Sequence, residues 1–194
     1  MRKLFPFILL VAGVSLLACK QKKEPKGNFI SVVALIRAEV AHVDTSLYPI
    51  VKTVTYDSSH TDTFYIHRED FAKEAKDFLE IPDLADGKVA KRYKEIQEQY
   101  DQSMGRVIFK YVPLKPDEEE VKSQEFQATP VLGADAKINN VIIVREINNR
   151  DSFLQKKMLW QMNKSFQIVT TSQKPGKPEV TTVTKVAWNE DPYQ

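Results

Sequence analysis

The chain has 194 residues, with 28 Lys or Arg against 26 Asp or Glu, and a formal charge of only +2. Binding to nucleic acid calls for a basic face with surplus charge, so this balance argues against a nucleic-acid partner. A single cysteine, Cys19, excludes an intrachain disulfide framework.

Arg2 and Lys3 precede an apolar run from Leu4 to Ala18, which is the layout of a secretory signal peptide. The run is shorter than the roughly 20 residues that a membrane span needs. It closes on Ser15-Leu16-Leu17-Ala18-Cys19. That ending resembles the lipobox of bacterial lipoproteins, in which Leu, a permissive position and a small residue precede the Cys. The resemblance implies cleavage between Ala18 and Cys19, a diacylglycerol on the Cys19 sulfur and acylation of the new amino group. Residues 1–18 are then a lipoprotein signal peptide and Cys19 is the lipid attachment site. Each buried methylene contributes about 0.8 kcal/mol and stable anchoring takes more than one acyl chain, a condition this modification meets.

Residues 19–28 read as a lipidated flexible tether, with Lys20, Lys22, Lys23 and Lys26 against Glu24 alone. Lys20 stands where an Asp in Gram-negative lipoproteins commonly marks inner-membrane retention. The resemblance therefore implies a cell-envelope protein held at the outer membrane by its lipid. Without Arg2 and Lys3 the remaining charges balance. Residues 29–194 have the length of a single domain, typically about 100–200 residues, and need neither disulfides nor metal to bury a core.

Phe29 to Ala41 (FISVVALIRAEVA) is apolar at helical spacing and predicts a helix packed into that core. As a second membrane span it is too short, and Arg37 and Glu39 interrupt it. Ile50 to Ile66 holds two β-branched and aromatic runs about the polar turn Asp57-Ser58-Ser59-His60, a hairpin signal. His67-Arg68-Glu69-Asp70 opens a short amphipathic helix carrying Phe71, Ala72, Ala75, Phe78 and Leu79, which Pro82 stops. Over Gly87 to Tyr100, Val89, Tyr93, Ile96 and Tyr100 share a helical face. The expectation there is a helix, with a strand as the alternative.

From Gly105 the pattern turns to strands. Arg106 to Val112 alternates, with Val107, Phe109 and Tyr111 on one face. Asp117-Glu118-Glu119-Glu120 follows as an acidic, solvated loop. Strands are then expected over Phe126 to Leu132, Ile138 to Ile147, Phe153 to Met162, Phe166 to Thr171 and Val180 to Trp188. Asn148 to Asp151 and Lys174 to Pro178 mark turns. Asn163-Lys164 reads as a two-residue hairpin turn, since Asn tolerates positive φ. Helices segregate from strands, so the fold class is α+β: a curved antiparallel β-sheet with an N-terminal helix and one or two further helices covering one face.

Catalytic motifs are scarce. The six glycines form no phosphate loop, and neither a nucleophile elbow nor HExxH is present. Of the histidines, His42 closes the first helix, and His60 and His67 bracket a strand. Asp57, His60 and Asp62 form too loose a set to define a metal site. Ser58 and Ser59 beside His60 lack the geometry of a proton relay. The acidic run does not have EF-hand spacing. No catalytic, cofactor-binding or metal residues are assigned and no cofactor is expected. Met158, Leu159, Trp160, Gln161, Met162, Phe166 and Trp188 concentrate bulk in the last third. They read as the filling of a curved sheet, or alternatively as the wall of an apolar pocket.

The segments LWQMNKSFQI and TKVAWNED, like the lipobox, resemble small uncharacterised Gram-negative lipoproteins, which implies no activity. The sequence thus predicts a lipid-anchored, non-enzymatic envelope protein that binds a protein or glycan partner. The alternatives are a carrier or sensor of a hydrophobic ligand lodged between sheet and helices, and an envelope-polymer hydrolase.

Overall fold

The structure is a computed structural model that describes residues 29–56, 60–103 and 105–189. Cys19, the segment 1–18, the tether 19–28 and the turn residues Asp57, Ser58 and Ser59 lie outside the described residues.

Helix α1 spans Val32–His42. It starts at Ser31, whose extended backbone and hydroxyl cap the first turn: Ser31 Oγ accepts from the Ala34 amide at 3.0 Å and donates to Asp83 at 2.8 Å. Its inward residues Val32, Val33 and Ile36 are buried. Strands β1 (Ile50–Thr55) and β2 (Thr61–Ile66) form the expected hairpin. The next amphipathic stretch is broken. A 3-10 turn, Arg68–Asp70, leads into α2 (Phe71–Glu74), and Ala75 separates that from α3 (Lys76–Leu79). Phe71, Ala75 and Phe78 still share one buried face, so the apolar spacing survives the break.

The helix expected over 87–100 is corrected. Only Gly87–Ala90 is helical (α4), and Tyr93–Asp101 is strand β3. A bulge between Glu95 and Gln97 against the neighbouring strand disturbs the two-residue alternation. That leaves Tyr93, Ile96 and Tyr100 at a spacing that mimics a helical face. The remaining strands are β4 (Arg106–Pro113), β5 (Val121–Val131), β6 (Ala134–Asn149), β7 (Ser152–Gln161), β8 (Ser165–Gln173) and β9 (Val180–Ala187). β5 and β6 run longer than the sequence signal and meet at a Leu132-Gly133 turn, where Gly133 takes φ +75°. The turn after β7 has three residues rather than two, because Gln161 pairs with Ser165. Asn163 does adopt the expected positive φ, at 58°.

Among the described residues nine strands join one open, curved antiparallel sheet in the order β2-β1-β9-β8-β7-β6-β5-β4-β3. From β3 to β9 it is a meander, and the β1–β2 hairpin docks on β9. One cross-strand row carries Phe109, Phe126, Val141, Trp160, Phe166 and Val186. The helices lie over this row. Trp160 stacks on Phe166 (5.1 Å between centroids) and meets Phe78 edge-on (5.1 Å), while Trp188 meets Phe71 edge-on (5.0 Å). Such pairs contribute about 0.5–1.5 kcal/mol each beyond burial. Ion pairs pin the helices to the sheet: Glu74 to Lys52 of β1 at 2.7 Å, and Asp77 to Lys156 of β7 at 2.6 Å.

Candidate functional site

The histidines do not come together. His42 is exposed at the end of α1, and His67 is exposed after β2. His60 is exposed before β2, 3.6 Å from Asp62. Six extended residues separate His60 from His67, about 20 Å at strand rise. Among the described residues no three His, Cys, Asp or Glu side chains converge as metal ligands would.

The acidic run is corrected as well. It is not a uniformly solvated loop, for three of its four carboxylates diverge to three cations. Glu118 pairs with Lys115 at 2.7 Å, and Glu120 with Arg145 at 2.6 Å. Glu119 is buried against Arg92. The Tyr93 hydroxyl lies 3.4 Å from Glu119 and 3.3 Å from the Val121 carbonyl. Burial, reinforced by the neighbouring Glu119 charge, pushes the Tyr93 hydroxyl up to about 12. This cluster is a clasp at the β3 side of the sheet.

Met158, Trp160, Phe166 and Trp188 are core, at most 4 % exposed. The rings of Trp160, Phe166 and Trp188 and those of Phe71 and Phe78 fill the space over the central strands. A pocket beside Trp160 and Trp188 meets ring against ring, which weighs against the carrier reading.

What the sequence reading missed is the edge formed by β2. Among the described residues no strand pairs with its outer side. The Tyr56 amide donates to the His60 carbonyl at 3.1 Å. Antiparallel pairs alternate between hydrogen-bonded and non-bonded. That bond therefore fixes Asp62, Phe64 and Ile66 as the residues bonded to β1. Thr61, Thr63 and Tyr65 turn their N–H and C=O groups outward. Tyr65 is 69 % exposed and Phe64 46 %, on opposite faces of the same strand. Leu47, 95 % exposed, and Tyr48 extend the apolar margin from the loop before β1.

That loop is held in place. Arg68 donates to the carbonyls of Val43 (2.7 Å), Ser46 (2.9 Å) and Tyr48 (3.3 Å), and Ser46 donates to the Trp188 carbonyl. A free row of backbone donors and acceptors beside large exposed side chains is what an added strand uses: ladder bonds for affinity and side chains for specificity. The signal was present in the string TDTFYI, a strand without Lys or Pro.

No family model matches the chain, and no curated protein or solved structure is significantly similar to it. Among the described residues no helix is long and apolar enough to cross a membrane.

Proposed function

We propose that the chain is a lipid-anchored lipoprotein of the bacterial envelope, held at the outer membrane through Cys19. It acts without catalysis, by taking an extended segment of another envelope protein onto β2. The observation that carries this reading is the outward-facing backbone of Thr61, Thr63 and Tyr65 beside exposed Phe64 and Tyr65. Natural edge strands are blunted by Lys, Pro, bulges or a covering element, and β2 has no Lys, Pro or bulge. The lipobox supports the location, since a lipid anchor confines the edge to partners at the same surface and so raises their effective concentration.

A photoreactive phenylalanine analogue at position 65, expressed in the native envelope, tests the reading. A discrete adduct is expected there, lost on Thr63→Pro and absent when the probe sits at position 94 on β3. Equal labelling from both edges, or none from β2, counts against it. Mass spectrometry of the mature N-terminus checks the anchor separately. The expected species begins at a triacylated Cys19, and a chain beginning at Met1 with a free thiol removes the envelope assignment.

A further inference from the structure

At the opposite end of the sheet from the Asn163 turn, the β6–β7 turn and the β8–β9 loop stand beside each other. Between them is an open cleft of about 310 Å³. Its floor is Phe153. Strand alternation places Phe153 on the sheet face away from the helices, since Met158 and Trp160 of the same strand face the core. Cross-strand pairing sets Asn148 on one side of the ring and Gln173 on the other. Arg150 and Ser152 come from one wall and Lys174 from the other; among the described residues no carboxylate lines the cleft, though Asp151 sits in the same turn.

Both walls are fixed before any ligand arrives. Asn149 Oδ1 accepts from the amides of Asp151 (3.0 Å) and Ser152 (2.9 Å) and from the Ser152 hydroxyl (3.1 Å). The other wall turns at Gly176 (φ +70°), with the Lys177 amide bonded to the Lys174 carbonyl at 3.0 Å. Walls ordered in advance lower the entropic cost of binding.

We propose that this cleft binds a glycan bearing an acidic group. A sugar ring has an apolar C–H face, which suits the half-buried Phe153. Its hydroxyls both donate and accept, and primary amides such as those of Asn148 and Gln173 answer both needs. Arg150 and Lys174 supply two cations to an acidic substituent, with the guanidinium able to grip it at two points. The volume stands at the lower end of small-ligand sites, about 300–1,000 Å³, enough for one ring, and the open ends let a chain continue. A bare anion would leave the aromatic floor unused. The site's nearest strand to β2 is β8, with β9 and β1 between them, so this inference does not depend on the edge reading and can fail without it.

The test is a titration of the ¹⁵N-labelled full chain in detergent with three probes: the carboxylate-bearing disaccharide of N-acetylglucosamine and N-acetylmuramic acid, neutral di-N-acetylchitobiose, and inorganic phosphate. The acidic disaccharide is expected to shift the Phe153 and Gln173 amide signals saturably, about tenfold more tightly than the neutral one. Phe153→Ala is expected to weaken it by about tenfold or more, as loss of a central aromatic contact does. Arg150→Ala with Lys174→Ala, two exposed turn positions, is expected to erase the preference for the acidic sugar in a folded chain. No shift with either sugar, equal affinity for both, or phosphate binding as tightly as the disaccharide would overturn the proposal.

Discussion

The sheet ends in two different edges. At β3, the strand carries a bulge and the exposed charges Lys94 and Glu95. Its first residue, Tyr93, is buried and clasped by the Arg92–Glu119 pair. At β2, the register is unbroken, Phe64 and Tyr65 are exposed as Ile96 and Tyr100 are on β3, and among the described residues no strand pairs with the outer side. The first edge is closed by the usual devices of bulge and charge. The second has no bulge and a single charge, Asp62, and that asymmetry is why β2 is read as a binding surface.

Both edges hang on one interior. Trp160→Ala removes its largest fully buried side chain and should cost about 3–5 kcal/mol, read as a fall in the urea midpoint with little change in slope. It sets the scale against which edge changes are judged.

Proline sharpens the comparison within β2. Phe64→Pro deletes an amide bonded to β1 and should cost about 2–3 kcal/mol, near the penalty for a proline that breaks a backbone ladder. Thr63→Pro deletes an outward amide and should cost about 1 kcal/mol or less, since proline is tolerated where an edge N–H faces away. Equal losses by thermal unfolding would show that the register is misassigned.

On the β3 side, Glu119→Ala strands the Arg92 guanidinium and leaves the Tyr93 hydroxyl only the Val121 carbonyl. Arg92 is half-exposed, so solvent softens the loss to about 1–3 kcal/mol, measured by denaturant unfolding. The same clasp has a pH signature. The Tyr93 hydroxyl is pushed from its ordinary value up to about 12 in the folded chain. The folded state therefore holds that proton more tightly than the unfolded state. Its contribution is complete below about pH 10 and is lost as pH rises toward 12. Tyr93→Phe should flatten stability against pH in that window. Burial also raises Tyr111, which leaves a residual slope.

The smallest effect is expected at the functional position. Tyr65→Lys should change stability by no more than about 0.5 kcal/mol, as exposed substitutions do, while abolishing the adduct read from a probe moved to position 63. A large loss of stability would place Tyr65 in the fold rather than at a binding surface.

Local signals were legible in the sequence. α1, the β1–β2 hairpin and the strands from β4 to β9 announced themselves through apolar period and turn residues. β3 did not, because its bulge removes the two-residue alternation by which a strand is recognised. Nor could the acidic run reveal that Glu119 is buried, since Arg92 lies 27 residues away and only the folded sheet brings them together. The strand TDTFYI was legible as a strand but not as an edge. Which strands end a sheet depends on β1 docking against β9, a pairing of distant segments that no local pattern encodes.

The most direct measurement is residue-resolved amide hydrogen exchange along β2 in the purified full chain. An open edge predicts fast exchange at Thr61, Thr63 and Tyr65 alternating with slow exchange at Asp62, Phe64 and Ile66. Uniformly slow exchange along the strand would mean that its outer side is already covered, and would contradict the account.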